Sequence, residues 1–189
     1  MKLVLRSTLF VLVLTVLLGG AYPAVVTLLA RALWPDRADG SFVESRGRVV
    51  GSALIGQRFR EPKYLHPRPS AAGKDGYDAT ASGGTNKGPT DAALAKSIRA
   101  AVEEARSDRP GDPRPVPADL VTSSASGLDP HLSPDAAEWQ AARIARARGV
   151  SEERVLAVIR RHIEPRTLGF LGEPRVNVLL TNLDLDGAP

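Results

Sequence analysis

The chain has no cysteine among its 189 residues. That excludes disulfides and a lipid-modified cysteine anchor, and leaves stability to packing or to partners. Aromatic residues are scarce at 5%, so a core has to be built from Val, Leu, Ile and Ala. Histidine occurs three times, as His66, His131 and His162. None has a close metal-ligand spacing such as H-E-x-x-H. Neither sign of charge dominates: 25 Lys and Arg stand against 21 Asp and Glu, a net +4. Arg143, Arg146, Arg148, Arg154, Arg160 and Arg161 alternate with Glu138, Glu152, Glu153 and Glu164. That pattern is a solvated helix face of mixed charge, not a nucleic-acid footprint. There is no internal repeat, no G-x-S-x-G elbow and no Gly-Lys-Ser/Thr phosphate loop.

What is present is one long apolar run, residues 7–30, without a single charge. Lys2 and Arg6 precede it and Arg31 closes it. At helical rise it spans roughly 36 Å, enough to cross a hydrocarbon core. In lipid such a run has to be a helix, because every backbone polar group needs an internal partner. A cleaved signal peptide is the competing reading, with Ala30-Arg31-Ala32 as a loose processing site. The run exceeds an ordinary signal core, which favours a permanent span. Pro23 is expected to kink the helix. Gly19 and Gly20 offer a flat surface for another membrane helix. Basic residues resist translocation, so residues 1–6 are expected in the cytoplasm and the C-terminal part outside, at the plasma membrane.

Residues 31–47 form a connector with Trp34 as an interfacial anchor. Residues 48–189 read as one extracytoplasmic α+β domain with a small sheet and about three helices. A first strand is expected over 48–59, with Gly51 and Gly56 marking a bulge or a close backbone approach. Residues 63–89 are rich in Pro and Gly. They are too long for an ordinary connection, and Tyr64, Tyr77 and Asn86 are unusual in a flexible linker. They are expected to form an ordered loop packed on the domain or on a partner. A helix follows over 90–106, capped by Thr90, and then a proline-rich surface linker over 107–117. A second polar loop covers 119–133. Ser133-Pro134 starts a helix running to about Arg148, Gly149 ends it, and Ser151 caps the next one, stopped by Pro165. Residues 172–186 alternate as a strand would.

Three clusters invite functional readings. Ser126, Asp129 and His131 could serve an exported hydrolase, but one turn rarely aims all three triad members at each other, and cap chemistry explains them. Residues 82–88 resemble a phosphate cradle without the P-loop order and read as a structural turn. Asn182, Asp184 and Asp186 mimic the start of a calcium loop whose later ligands never follow, and read as the end of a strand. No metal site is expected.

Taken in order, several stretches are more specific than any one of them. They are Gly51 to Gln57, Arg68-Pro69-Ser70-Ala71 and Ser82-Gly83-Gly84-Thr85-Asn86. Then come Leu120 to Asp129, Gln140, Ala145 to Arg148, and Gly172-Glu173-Pro174-Arg175-Val176-Asn177-Val178. Behind one N-terminal span they closely resemble the C subunit of the bacterial Kdp potassium-transporting P-type ATPase. Departures are confined to Thr85, Lys87, Ser123 and the proline-rich segment.

The resemblance implies a non-catalytic accessory subunit of an ATP-driven potassium uptake complex, which assembles or stabilises its partners. Those partners would be a channel-like potassium-binding subunit, the P-type ATPase catalytic subunit and a small single-span subunit. It also implies an effect on the pump's ATP affinity. The stretch Ser124 to Gly127, with Ser126, and the side chain of Gln140 would carry it. An extracytoplasmic position argues against direct contact with cytoplasmic ATP, and no cofactor is expected to bind firmly. Partner contacts are expected at Gly19, Gly20 and Pro23 in the span, and at Arg68, Ser82, Gly83, Gly84 and Asn86 in the loops.

Overall fold

A computed structural model describes residues 1–187. The chain divides into two compact units, Met1–Val43 and the part from Glu44 onward. The first unit is dominated by α1, Lys2–Leu33, a helix long and apolar enough to cross a membrane. None of its residues is buried. Pro23 has no N–H to give the carbonyl of Gly19, and its ring crowds that carbonyl. The helix answers with a π-helical turn over Leu17–Ala21, which re-routes the backbone bonds without a break. After Trp34 comes a single turn, α2 (Pro35–Ala38), and Arg31 donates from Nε to Asp39 Oδ1 at 3.0 Å.

β1 (Phe42–Ser45) and β2 (Arg48–Ser52) make a two-stranded sheet. The strand expected over 48–59 stops at Ser52. There the Ser52 Oγ accepts from Leu54 N at 3.1 Å and starts a turn. Gly56 shows the expected close approach: a Cβ there would sit 2.6 Å from Asp129 O.

α3 (Ala92–Asp108) is capped by Asp91, not by Thr90. The Asp91 carboxylate accepts from Ala93 N at 2.7 Å and Leu94 N at 3.3 Å. A charged acceptor beside a helix N-terminus also meets the dipole, which a threonine hydroxyl does not. The expected linker over 107–117 is pinned at its start. Arg109 donates to Trp139 O at 2.7 Å and pairs with Glu152.

The core lies between a helical hairpin and a second sheet. α4 (Pro134–Trp139) is capped by Ser133, whose Oγ accepts from Ala136 N. The expected single helix is interrupted at Gln140, and α5 (Ala141–Arg148) follows. Gly149 ends it at φ 67° in the left-handed conformation, and Ser151 caps α6 (Glu152–Arg161). β3 (His131–Leu132), β5 (Arg175–Asn177) and β4 (Ile163–Glu164) form an antiparallel sheet in the order β3-β5-β4. Leu132 and Ile163 both pair with Val176. Leu132, Ile144, Val155, Ile159, Val176 and Leu185 form the centre of the core.

The largest correction concerns residues 172–186. Only Arg175–Asn177 is strand, and Val178–Gly187 is a helix, α7. Asn177 Oδ1 accepts from Leu180 N at 3.1 Å and acts as the cap. Val178, Thr181, Asn182 and Leu185 are buried at i, i+3, i+4 and i+7, a helical stripe. The alternation of Val and Leu hid it, because those residues suit either period.

Candidate functional site

Leu65 and His66 lie in a stretch without regular structure, yet Leu65 is fully buried. A buried extended backbone needs partners for its N–H and C=O groups. Two side-chain amides supply them. Asn182 Oδ1 accepts from Leu65 N at 2.7 Å, and its Nδ2 donates to Leu65 O at 3.0 Å. Gln140 Oε1 accepts from His66 N at 2.8 Å, and its Nε2 donates to His66 O at 3.0 Å. Each amide imitates the edge of a neighbouring strand, one residue after the other. The partners also fix which amide atom is oxygen. Asn182 is 1% exposed and Gln140 2%. Gln140 Oε1 accepts a further bond from Arg143 Nη2 at 2.6 Å, so its capacity is spent inside the domain. Burial, then the Arg143 charge, lowers the His66 pKa.

The latched segment feeds a cluster formed by two loops, 67–84 and 122–129. Ser70 Oγ donates to Gly127 O at 2.6 Å and accepts from Tyr77 N at 2.9 Å. Tyr77 donates its hydroxyl to Arg68 O at 2.6 Å. Burial pushes the Tyr77 pKa well up, so the phenol remains a donor. Gly83 N donates to Ser126 O at 2.9 Å, and Ser82 Oγ to the same oxygen at 3.0 Å. At Gly127, φ 67°, a Cβ would fall 2.7 Å from Gly83 O and 2.8 Å from Ala72 N. Only glycine fits there. Arg68 reaches Thr122 O at 3.4 Å and Asp129 Oδ2 at 3.4 Å. The His131 side chain and backbone, with Arg68, hold Asp129 below the ordinary carboxylate range despite partial burial.

The structure therefore brings Arg68, Ser82, Gly83 and Gly84 together with Ser124, Ser126 and Gly127. Gln140 lies behind them, on the latch. Asn86 is exposed with φ 53°, a conformation asparagine tolerates. Gly19, Gly20 and Pro23 belong to the other unit, where a Cβ at either glycine meets nothing within 4 Å. Ser126 Oγ accepts from Leu128 N at 3.1 Å, and Asp129 Oδ1 from His131 N at 3.0 Å. Both are turn bonds, and among the described residues no hydrogen bond joins Ser126 to His131. Asp184 pairs with Arg161 and His162, and Asp186 with Arg148. They sit on α7, and no group of metal-ligating side chains occurs among the described residues. Sequence reasoning missed Asn182 as a latch. The only available signal was a polar residue on the apolar stripe of α7. A cleft of about 400 Å³ borders the cluster, lined by Arg58, Arg60, Arg68, Tyr77, Asp75 and Glu104 among others. Its charges are mixed.

Fold and site together define a class: an α+β domain carried by one membrane-length helix, whose polar loops are interlocked with each other. Known proteins narrow it further. The family model described as "KdpC: K+-transporting ATPase, c chain" matches residues 4–187. A Myxococcus xanthus protein named "Potassium-transporting ATPase KdpC subunit" is 60% identical over 183 residues, 96% of this chain and 85% of that protein. Proteins of the same name from Koribacter versatilis and Sorangium cellulosum are 50% and 55% identical. They cover 98% and 94% of this chain, and 95% and 93% of those proteins. The chain belongs to the KdpC family, the c chain of the K+-transporting ATPase.

Proposed function

We propose that the chain is a non-catalytic subunit that assembles or stabilises a potassium uptake complex, joining its channel-like, pump and small single-span subunits. One observation carries the reading: the loops richest in site-like residues are spent on internal hydrogen bonds, and what they leave outward is a rigid polar surface. Such a surface suits contact with another protein more than turnover of a substrate. The span tethers and docks the chain through Gly19 and Gly20, with Lys2 and Arg6 on the cytoplasmic side. The domain stands outside. Any effect on the pump's ATP affinity then passes through subunit contact, because Gln140 offers no free donor or acceptor without breaking the latch.

The test is co-expression of the remaining subunits with and without this chain. The reading expects loss of the intact complex and of potassium-stimulated ATP hydrolysis when the chain is omitted. Full assembly and activity without it would sink the reading. The hydrolase alternative predicts ester turnover by the purified chain that Ser126→Ala abolishes.

A further inference from the structure

Between β4 and β5 the chain folds out into a small hairpin that the core does not need. Thr167 N donates to Leu171 O and Leu171 N to Thr167 O, both at 2.9 Å. Leu168 (φ 55°) and Gly169 (φ 83°) form the tip. Two successive positive φ values are those of a type I′ turn, which favours Asn-Gly. A leucine in the first position is strained and has no local reason to be there. Yet Leu168 is 79% exposed and Phe170 69% exposed, and Leu171 stands out beside them. Three large apolar side chains on one hairpin tip make a patch on the order of a few hundred Å², the scale that marks interaction sites.

The charges around the tip identify the occupant. Arg166 pairs with Glu173 at 2.5 Å, and Arg175 with Glu164 at 2.9 Å. The two arginines that flank the tip, Arg166 and Arg175, are thus each paired with a carboxylate of the same hairpin. An anionic lipid surface is recognised by unpaired Lys and Arg beside the apolar residues, and among the described residues both arginines that flank this tip are paired. A dimer of this chain would need roughly 1,000 Å² or more of buried surface, beyond the reach of this tip. A preformed knob with a neutral collar fits an apolar pocket in another protein. We propose that residues 167–171 are a docking knob. It inserts Leu168, Phe170 and Leu171 into an apolar, uncharged-rimmed pocket on another subunit of the same transport complex. The proposal rests on the accessory-subunit reading above.

The cysteine-free sequence allows a clean test with the full chain. A spin label at Phe170→Cys is measured twice. One sample is the chain alone in phosphatidylethanolamine–phosphatidylglycerol vesicles, the other the assembled complex. The expected result is a mobile label open to a water-soluble nickel reagent in the chain alone, and an immobile, protected label in the complex. In parallel, Phe170→Ser and Leu168→Asn are expected to lower recovery of the other subunits by about tenfold or more. Leu168→Asn puts a favoured residue in the turn, so its thermal midpoint stays or rises and misfolding does not explain the loss. Protection by lipid, or dipolar coupling between two labels, in the chain alone overturns the proposal. So does full recovery of the complex with both variants. If the unmodified chain is itself dispensable for assembly, the accessory-subunit reading fails instead.

Discussion

Replacing Asn182 with alanine should be among the most damaging single changes in the domain. Among the described residues, the substitution removes the hydrogen-bond partners of Leu65 N–H and Leu65 C=O, at 2.7 and 3.0 Å in a fully buried position. A buried donor or acceptor left unpaired costs about 1–3 kcal/mol. Two such groups therefore cost about 2–6 kcal/mol, a large part of the 5–15 kcal/mol typical of a whole domain. For a chain of this size each kcal/mol lowers Tm by roughly 2–4 °C, so a fall of about 4–24 °C is expected. The assay is thermal and urea unfolding of the full chain in detergent, followed by circular dichroism. Tyr64→Phe is the comparison, since it removes one partly exposed bond to Asp186 and should cost under about 1 kcal/mol. Gln140→Ala holds the next residue of the same segment, so the double variant should be less destabilised than the sum, by about 0.5–3 kcal/mol. An Asn182→Ala chain within about 1 kcal/mol of the parent, or strict additivity with Gln140→Ala, would refute the latch.

Gly127→Ala should cost about 1–3 kcal/mol, since its Cβ meets backbone at 2.7 and 2.8 Å and its φ is positive. Gly83→Ala meets nothing within 4 Å and should leave unfolding unchanged; a drop in co-purifying subunits with that variant would mark the loop as a contact surface. Asp129 has a folded pKa below its ordinary 3.8, so the folded state binds fewer protons than the unfolded one in acid. The stability it contributes is present above about pH 4 and is lost as pH falls toward the depressed value. Asp129→Asn should flatten that acid-side slope in unfolding titrations and leave neutral-pH slopes alone. Leucines at Gly19 and Gly20 should keep the chain in the membrane while releasing it from its partners, read by membrane fractionation and affinity purification.

Much of the domain could be read locally. The caps at Ser133 and Ser151 and the left-handed Gly149 are short-range chemistry, and each stands where turn and cap rules put it. Thr90 and Asp91 show the limit of that reading, because two adjacent residues could both cap and only the stronger acceptor does. The grouping of Arg68 and Ser82 to Gly84 with Ser124 to Gly127 was not visible. It depends on hydrogen bonds to the Ser126 carbonyl, from the Ser82 hydroxyl 44 residues away and from the Gly83 backbone N–H.

The sequence by itself determined the membrane-length helix, the mixed α+β character and the family. These follow from an uncharged apolar run, from periodicity, and from motifs in a fixed order. The tertiary structure alone decided that residues 178–187 coil instead of extending. It alone decided that the polar loop is fastened by hydrogen bonds at Leu65, His66, Ser70 and Ser82 to residues far along the chain. The reason is distance along the chain: Leu65 meets its Asn182 partner 117 residues away, and His66 meets Gln140 74 residues away. Hydrophobic periodicity records which residues face a core, not which buried amide will find which backbone. Asn182 could be seen to lie on an apolar stripe, but the backbone that justifies it there came only with the fold.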